Sequence, residues 1–208
     1  MSSITVEYYG HSCFRIVYDN DSIVLDPYEN GSVPGWQLPD DLKAHRTFCS
    51  HEHADHNAAH LVKKEEGSDA MQVSSFTVPH DDAYGTKRGM TKVTVIQAGR
   101  CHIVHMGDYG RLPTLDEYAA LRNTDVMLIP VGGYFTIDAV QAREIIDHIA
   151  PKLTILMHYR NGIYGYSETE DLKEIRKTFP MLECLDETSL TFDETSVPRG
   201  IVTLKGIQ

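Results

Sequence analysis

The chain has 208 residues, enough to bury a core without disulfide support, and this length fits one large domain. Its 19 Lys and Arg residues are outnumbered by 30 Asp and Glu residues, which gives a formal net charge of −11. This acidity weighs against nucleic-acid binding, because contact with a phosphate backbone depends on neutralisation by Lys and Arg. We therefore expect a single domain over residues 1–208 and no nucleic-acid partner.

Two further features concern the compartment. The N-terminus shows no basic and apolar leader, the first cation is Arg15, and no apolar stretch approaches the roughly 18 residues of a membrane span. The four cysteines form no C-x-x-C pair, which favours reduced, buried thiols over disulfides or metal ligands. We expect a cytoplasmic protein with no membrane partner, and the sequence leaves open whether it forms a homo-oligomer.

The predicted elements begin with four short strands: Ile4–Tyr8, Ser12–Tyr18, Ser22–Asp26 and Thr47–Ser50. A long loop at Pro27–Asp40 follows the third strand, and loops of this length are usually functional or mobile. Its Trp36 either caps an edge of the core or covers a substrate. A helix is predicted from about Asn57 to Glu66.

The remainder of the chain alternates strands and helices. Strands are predicted near Met71–Val78, Thr91–Ala98, Cys101–His105, Asp125–Val131, Leu153–His158, Ser189–Phe192 and Ile201–Lys205. Capping residues predict helices that begin at Thr114, Asp138 and Ser167. The helix that begins at Asp138 has an apolar stripe of Val140, Ile145, Ile146 and Ile149. This order predicts a mixed α/β fold in which helices cover the sheet faces.

The segment Ser50–Asn57 concentrates three histidines and one aspartate directly after a predicted strand. In an extended chain, His51 and His53 project to the same side, so both imidazoles can meet one cation. Asp55 and His56 follow where the chain turns and can face a second cation. This mixture of nitrogen ligands and a hard carboxylate is typical of a site for divalent transition metals.

Further potential ligands follow the ends of other predicted strands. His80 follows the run Val73–Val78, and His158 ends the run that begins at Leu153. Asp108 follows the run Cys101–Met106, where Gly107 allows a tight turn. Since open α/β sheets gather their ligands at the carboxyl ends of strands, we expect these side chains to complete the metal site.

Together, Asp26, the block from His51 to His56, His80, Asp108 and His158 resemble the signature of the metallo-β-lactamase fold superfamily of metal-dependent hydrolases. Four local motifs are similar to the branch that contains ascorbate-6-phosphate lactonase: Gly10-His-Ser-Cys-Phe14, Leu25-Asp-Pro27, Gly132-Gly-Tyr-Phe-Thr136 and Met157-His-Tyr159. The resemblance implies a four-layer αβ/βα sandwich, with two mixed β-sheets flanked by helices and a dinuclear site at one edge of the sheets.

The resemblance also implies how the ligands are divided. One ion would be held by His51, His53 and His80, the other by Asp55, His56 and His158, and Asp108 would bridge both. Asp26 would accept a hydrogen bond that orients the cluster. His11 either approaches the site as a proton donor or substrate contact, or is a turn residue after Gly10.

The expected cofactor is a pair of divalent ions, with zinc favoured and manganese or iron open. Ions about 3.5–4 Å apart would lower the pKa of a water between them, and the bridging hydroxide would cleave an ester, lactone or phosphate-containing small molecule. Asp55 and Asp108 are therefore also the predicted catalytic residues. Lys87, Arg88 and Arg160 are candidate contacts to an anionic substrate.

Three alternatives use the same ligand set. A phosphodiesterase or nuclease is one, although the net charge weighs against polymeric substrates. A di-iron oxidoreductase is another, although such proteins usually carry additional domains for which 208 residues leave no room. A metal sensor without turnover is the third. Metal content together with a substrate panel would separate these readings.

Overall fold

The computed structural model describes residues 2–207, and none of their helices is long and apolar enough to cross a membrane. The strands, in chain order, are β1 (Ser3–Tyr8), β2 (Phe14–Tyr18), β3 (Asp21–Leu25), β4 (Lys43–Ala44), β5 (Arg46–Phe48), β6 (Lys63–Lys64), β7 (Met71–Pro79), β8 (Met90–Ala98), β9 (Cys101–His105), β10 (Val126–Pro130), β11 (Leu153–Met157), β12 (Glu183–Cys184), β13 (Ser189–Asp193) and β14 (Gly200–Thr203). The helices are α1 (Leu115–Ala120), α2 (Ala139–Ile149) and α3 (Leu172–Thr178), with a 3₁₀ turn at Ala59–Leu61.

The first sheet has five strands in the order β13-β1-β2-β3-β5. Its neighbours are antiparallel except β3 and β5, which run parallel, so the sheet is mixed. Buried and partly exposed residues alternate along β1 and β2, as expected for strands that turn one face to a core. The first three predicted strands are confirmed, with the second one beginning at Phe14.

The second sheet has seven strands in the order β12-β14-β11-β10-β9-β8-β7. Its neighbours run parallel from β12 to β9, whereas β8 pairs antiparallel with both β9 and β7. All residues of β10 and β11 are buried, which explains why their sequences are near-continuous apolar runs.

The core is divided by the sheets into layers. Ile4 and Ile16 of the first sheet share one buried cluster with Leu128 and Ile155 of the second. A separate cluster packs the three helices onto the outer face of the second sheet, through Ile145, Ile175 and other apolar residues. The predicted four-layer sandwich is confirmed, although its fourth layer, over the first sheet, is built from the long loop rather than from a helix.

That fourth layer corrects one expectation about the Pro27–Asp40 segment. Tyr28, Val33 and Leu38 of the loop are buried against Val24 and neighbouring residues of the first sheet. Trp36 packs against Tyr164, with ring centroids 4.7 Å apart, and its indole fills the space next to Gly10. The loop is therefore a structural cover, and Trp36 caps an edge of the core.

Three details of the predicted helices are wrong. The helix predicted over Asn57–Glu66 is only a 3₁₀ turn followed by β6, because the backbone N–H groups of Lys63 and Glu65 pair with the strand at Lys43–Ala44 and its preceding residue. The last helix begins after Asp171 instead of Ser167, since the Asp171 carboxylate caps it. Val140 of α2 is exposed and lies outside the buried stripe.

Candidate metal centre

Strand ends bring the predicted ligands to one edge of the two sheets. His51 follows β5, His80 follows β7, Asp108 follows β9 and His158 follows β11. These four side chains are buried, with residue exposures between 0 and 9 %. The parallel arrangement of β9, β10 and β11 explains the convergence, because it places the carboxyl ends of these strands side by side.

One group of ligand atoms comprises His51, His53 and His80, which lie within 4.8 Å of one another. His51 Nε2 and His53 Nδ1 are 2.9 Å apart, as expected for alternate residues of an extended segment. A second group comprises Asp55, His56 and His158, and it also includes His11. The structure thus gathers the same two sets of three that the resemblance implies.

Asp108 lies between the two groups. Its Oδ2 is 3.3 Å from His80 Nε2 on one side and 3.4 Å from His158 Nε2 on the other. Its Oδ1 is 3.2 Å from His56 Nε2. A single carboxylate that reaches both groups has the position required of a bridging ligand.

The buried carboxylate of Asp26 fixes one histidine in each group. Asp26 accepts hydrogen bonds from the Ser50 backbone N–H, the Ser50 hydroxyl and His56 Nδ1, at 2.7, 2.7 and 2.8 Å. Because the Ser50 hydroxyl donates to Asp26, its oxygen is free to accept from His51 Nδ1 at 2.9 Å. Both imidazoles therefore turn Nε2, with its lone pair, towards the site. Ser50 was missed by the sequence reasoning, and only its place before His51 marks it.

The electrostatics of the cluster favour neutral imidazoles at His11 and His51 and positive charge beside His56. Burial lowers the pKa of His11 and that of His51 to about 4, so both imidazoles are neutral at pH 7. Burial also lowers the pKa of His56, but Asp108 and Asp26 outweigh it and raise that pKa well above its ordinary value. The two carboxylates thus stabilise positive charge at this position.

The residues present fit a metal ion. His56 Nε2, His158 Nε2 and Asp108 Oδ1 are buried, and although His56 Nε2 lies 3.2 Å from Asp108 Oδ1, none of the three atoms makes a hydrogen bond of acceptable geometry among residues 2–207. Orphaned buried polar atoms are costly unless a ligand or ion satisfies them. Because these three atoms converge, divalent ions bound by the cluster would satisfy all of them at once.

His11 is part of the cluster rather than a simple turn residue. Its Nε2 lies 3.1 Å from Asp55 Oδ2, and its ring centroid is 4.0 Å from that of His158. Its backbone adopts a φ of 53°, uncommon for histidine, and its carbonyl accepts hydrogen bonds from Tyr8 and from the His158 backbone. The fold therefore holds His11 in place beside Asp55.

The three candidate substrate cations are placed differently. Arg88 lines a cavity of about 510 Å³ together with His51 and His53. The Lys87 ammonium lies outside that lining and pairs with Asp82 at 2.7 Å. Arg160 also lies outside it and pairs with Asp171, the residue that caps α3, at 2.9 Å. The structure thus brings Arg88 to the histidines and leaves the other two engaged with carboxylates.

Sequence reasoning missed an aromatic wall of the site. The Tyr166 ring centroid is 5.6 Å from that of His11, and burial, followed by the charge of Asp55, raises the pKa of its hydroxyl. Phe135 packs against both Tyr166 and His158, with centroid distances of 5.2 and 6.3 Å. Phe135 lies in the motif Gly132–Thr136 but was not assigned to the site, and Tyr166 carried no signal of its own.

A four-layer α/β sandwich with a largely buried cluster of five histidines and two aspartates at the sheet edge, of which His53 is exposed and Asp55 partly buried, defines a class of metal-binding proteins. A family model described as a beta-lactamase superfamily domain matches residues 5–158. The chain therefore belongs to this family, and the expected superfamily membership is confirmed.

The descriptions of similar proteins are consistent with this family assignment. A UPF0173 metal-dependent hydrolase of Thermoplasma acidophilum is 26% identical over 210 residues, covering 86% of this chain and 93% of that protein. A Thermotoga maritima structure, named as a candidate Zn-dependent hydrolase of the metallo-beta-lactamase superfamily, is 25% identical with a TM-score of 0.78, covering 97% of this chain and 98% of that one.

For a more distant structural neighbour, the similarity extends only to the fold. The metallo hydrolase Igni18 of Ignicoccus hospitalis has a TM-score of 0.67 at 16% identity, covering 92% of this chain and 99% of that one. Family, relatives and ligand cluster together make this chain a metal-dependent hydrolase of the metallo-beta-lactamase superfamily. The narrower likeness to the ascorbate-6-phosphate lactonase branch stays a prediction.

Proposed function

We propose that the chain uses two divalent metal ions to hydrolyse an ester, lactone or phosphate-containing small molecule. The position of Asp108 carries the proposal, since its carboxylate lies within 3.4 Å of imidazole nitrogens from both ligand groups. In this proposal His51, His53 and His80 hold one ion and Asp55, His56 and His158 hold the other. Zinc suits this histidine-rich set best, and manganese and iron are the other candidates.

Ions bound there would supply hydroxide at neutral pH and positive charge to polarise the scissile bond. The chain's own residues contribute orientation and proton handling. Asp26 and Ser50 set the tautomers of His51 and His56. The Asp55 carboxylate lies at 3.1 Å from His11 Nε2, so this pair is placed to pass a proton to a leaving group.

The substrate class follows from the cavity beside His51 and His53. Its volume of about 510 Å³ suits a small molecule, and Arg88 in its lining favours an anion. The net charge of −11 supports the exclusion of nucleic acid as a partner. All four cysteines are free, which supports a reducing, cytoplasmic location.

A metal-loading and turnover experiment tests the proposal. The chain, stripped with chelator and reloaded separately with zinc, manganese or iron, is assayed on p-nitrophenyl esters, a lactone and a bis-p-nitrophenyl phosphodiester. We expect metal-dependent hydrolysis that is lost in Asp108→Ala together with bound metal. Wild-type turnover in that variant would contradict the proposal, as would iron-dependent oxidation without hydrolysis of any panel member.

A further inference from the structure

The loop that follows His80 is organised by one buried carboxylate. Asp81 is 2 % exposed, and its Oδ1 accepts hydrogen bonds from the backbone N–H groups of Ala83 and Gly85, at 2.8 and 2.9 Å. Its Oδ2 accepts from the backbone N–H groups of Lys87 and Arg88, at 2.9 and 2.8 Å. Both carboxylate oxygens therefore accept hydrogen bonds from the same loop. These four bonds fix the backbone of residues 83–88.

This loop is also tied to the metal centre. The backbone N–H of His80 donates to the Gly89 carbonyl at 3.0 Å, and the N–H of Gly89 donates to the Gly85 carbonyl at 3.0 Å. Gly85 has a φ of 81°, and a Cβ there would lie 2.7 Å from the Gly89 carbonyl oxygen. The backbone of Arg88 is consequently held at a fixed position relative to a predicted metal ligand.

The Arg88 guanidinium is supported by two rings and engaged by no carboxylate of residues 2–207. Its carbon lies 5.6 Å from the ring centroids of both Tyr134 and Phe135. Phe135 in turn packs against His158, and Arg88 lines the cavity that contains His51. The planar fork of donors is therefore oriented by its surroundings, yet available to a ligand.

We propose that Asp81 is the positioning residue of a preformed anion subsite, in which Arg88 binds a carboxylate or phosphate group of the substrate and selects anionic over neutral esters. This inference rests on the proposed hydrolysis. A site ordered before binding loses less conformational entropy when the substrate arrives, and a fixed guanidinium can bind a carboxylate through two parallel hydrogen bonds.

The physical effect of Asp81→Asn follows from its contacts. Each of the two Asp81 oxygens accepts two backbone N–H groups, so the side chain must offer an acceptor at both of its terminal atoms. An asparagine amide can accept at only one of its two terminal atoms, and its NH₂ group would face two N–H donors. The loop would then loosen without any change to Arg88 itself.

The test compares mono-p-nitrophenyl succinate, which carries a free carboxylate, with neutral p-nitrophenyl acetate. We expect the ratio of their kcat/KM values to fall about 10- to 100-fold in Arg88→Gln, through KM of the anionic ester, because a charge-assisted hydrogen bond is lost. Asp81→Asn should lower the same ratio, and the double variant should lower it no further. Asp193→Asn is the matched control, since that carboxylate also caps a turn, through the Thr195 N–H at 2.9 Å, away from the site.

The metal content of each variant is measured alongside, so that a disturbed His80 is recognised. If Asp81→Asn does not fold, Gly85→Ala disturbs the same loop without touching the carboxylate. An unchanged ratio in Arg88→Gln would refute the subsite, and an unchanged ratio in folded Asp81→Asn would refute the positioning role. If neither ester is hydrolysed, the proposed function fails, and calorimetric binding of the amide analogue of the succinate ester still tests the subsite. That binding should weaken at least tenfold in both variants, and equal binding would overturn the inference.

Discussion

Replacing Asp26 with asparagine tests whether one buried carboxylate orients both halves of the metal centre. Asp26 accepts three hydrogen bonds of 2.7–2.8 Å, two from Ser50 and one from His56, and through Ser50 it also fixes His51. Asparagine keeps the shape of the side chain and tolerates the backbone φ of 45° at this position. The substitution therefore removes the negative charge and one of the two acceptor oxygens, while the backbone conformation stays accessible.

The expected magnitude comes from the loss of these outer hydrogen bonds. In Asp26→Asn, the amide NH₂ meets the Ser50 hydroxyl and His56 Nδ1, both of which are donors in the wild-type protein. Loss of such a partner typically weakens metal binding about 10- to 100-fold, or about 1.4–2.7 kcal/mol per ion. Because His51 and His56 belong to different ligand groups, both affinities should fall.

The assay is a competition titration with a chromophoric zinc chelator. Asp21→Asn is the control, since Asp21 is a buried carboxylate at the other end of β3 that accepts from Arg46 and from the Met71 backbone. Asp21→Asn should lower Tm and leave both metal affinities unchanged. Wild-type affinity at both sites in Asp26→Asn would show that Asp26 does not orient the metal-binding histidines.

Three further predictions concern stability and reactivity. Gly10→Ala should destabilise the fold by more than about 3 kcal/mol in urea unfolding, because its φ is 95° and the new Cβ would lie 2.4 Å from the Trp36 ring. Gly31→Ala, with a φ of 87° and no atom within 4 Å of the Cβ, should cost only about 1–2 kcal/mol, and equal losses would contradict the steric account. Burial raises the pKa of Glu117, but three neighbouring donors outweigh it and lower this pKa from 4.5 to about 2. Glu117→Gln should therefore cost about 2–3 kcal/mol at pH 7, and the cost should shrink as pH falls from 4.5 towards 2; a cost independent of pH would argue against it. Finally, Cys184 is exposed and should be the first thiol to react with Ellman's reagent in the folded protein, whereas fast reaction of all thiols would contradict the described burial.

Much of the fold could be predicted from the sequence, because fully buried strands appear as continuous apolar runs. The continuous apolar runs of β10 and β11 and the capping residues Thr114 and Asp138 each identified an element correctly. The helix predicted after His56 was wrong for a different reason. Its backbone N–H groups are taken by a distant strand at Lys43–Ala44, and a local pattern carries no information about such a partner.

The residues of the candidate site likewise fall into those that the sequence could predict and those that it could not. Histidines and aspartates at strand ends are conspicuous, so the ligand groups could be predicted together with the role proposed for Asp26. Ser50, Phe135 and Tyr166 could not, since their residue types are common and only tertiary packing brings them to the cluster. Arg160 shows the opposite error: its place beside His158 suggested a substrate contact, but its side chain turns to Asp171.

Anomalous diffraction from crystals of the zinc-loaded protein, recorded on both sides of the zinc absorption edge, would show whether two ions bind around Asp108. We expect two anomalous peaks, one on each side of the Asp108 carboxylate. One should lie among His51, His53 and His80, and the other among Asp55, His56 and His158. A single peak, or peaks that leave Asp108 uncoordinated, would contradict a dinuclear centre built on this residue.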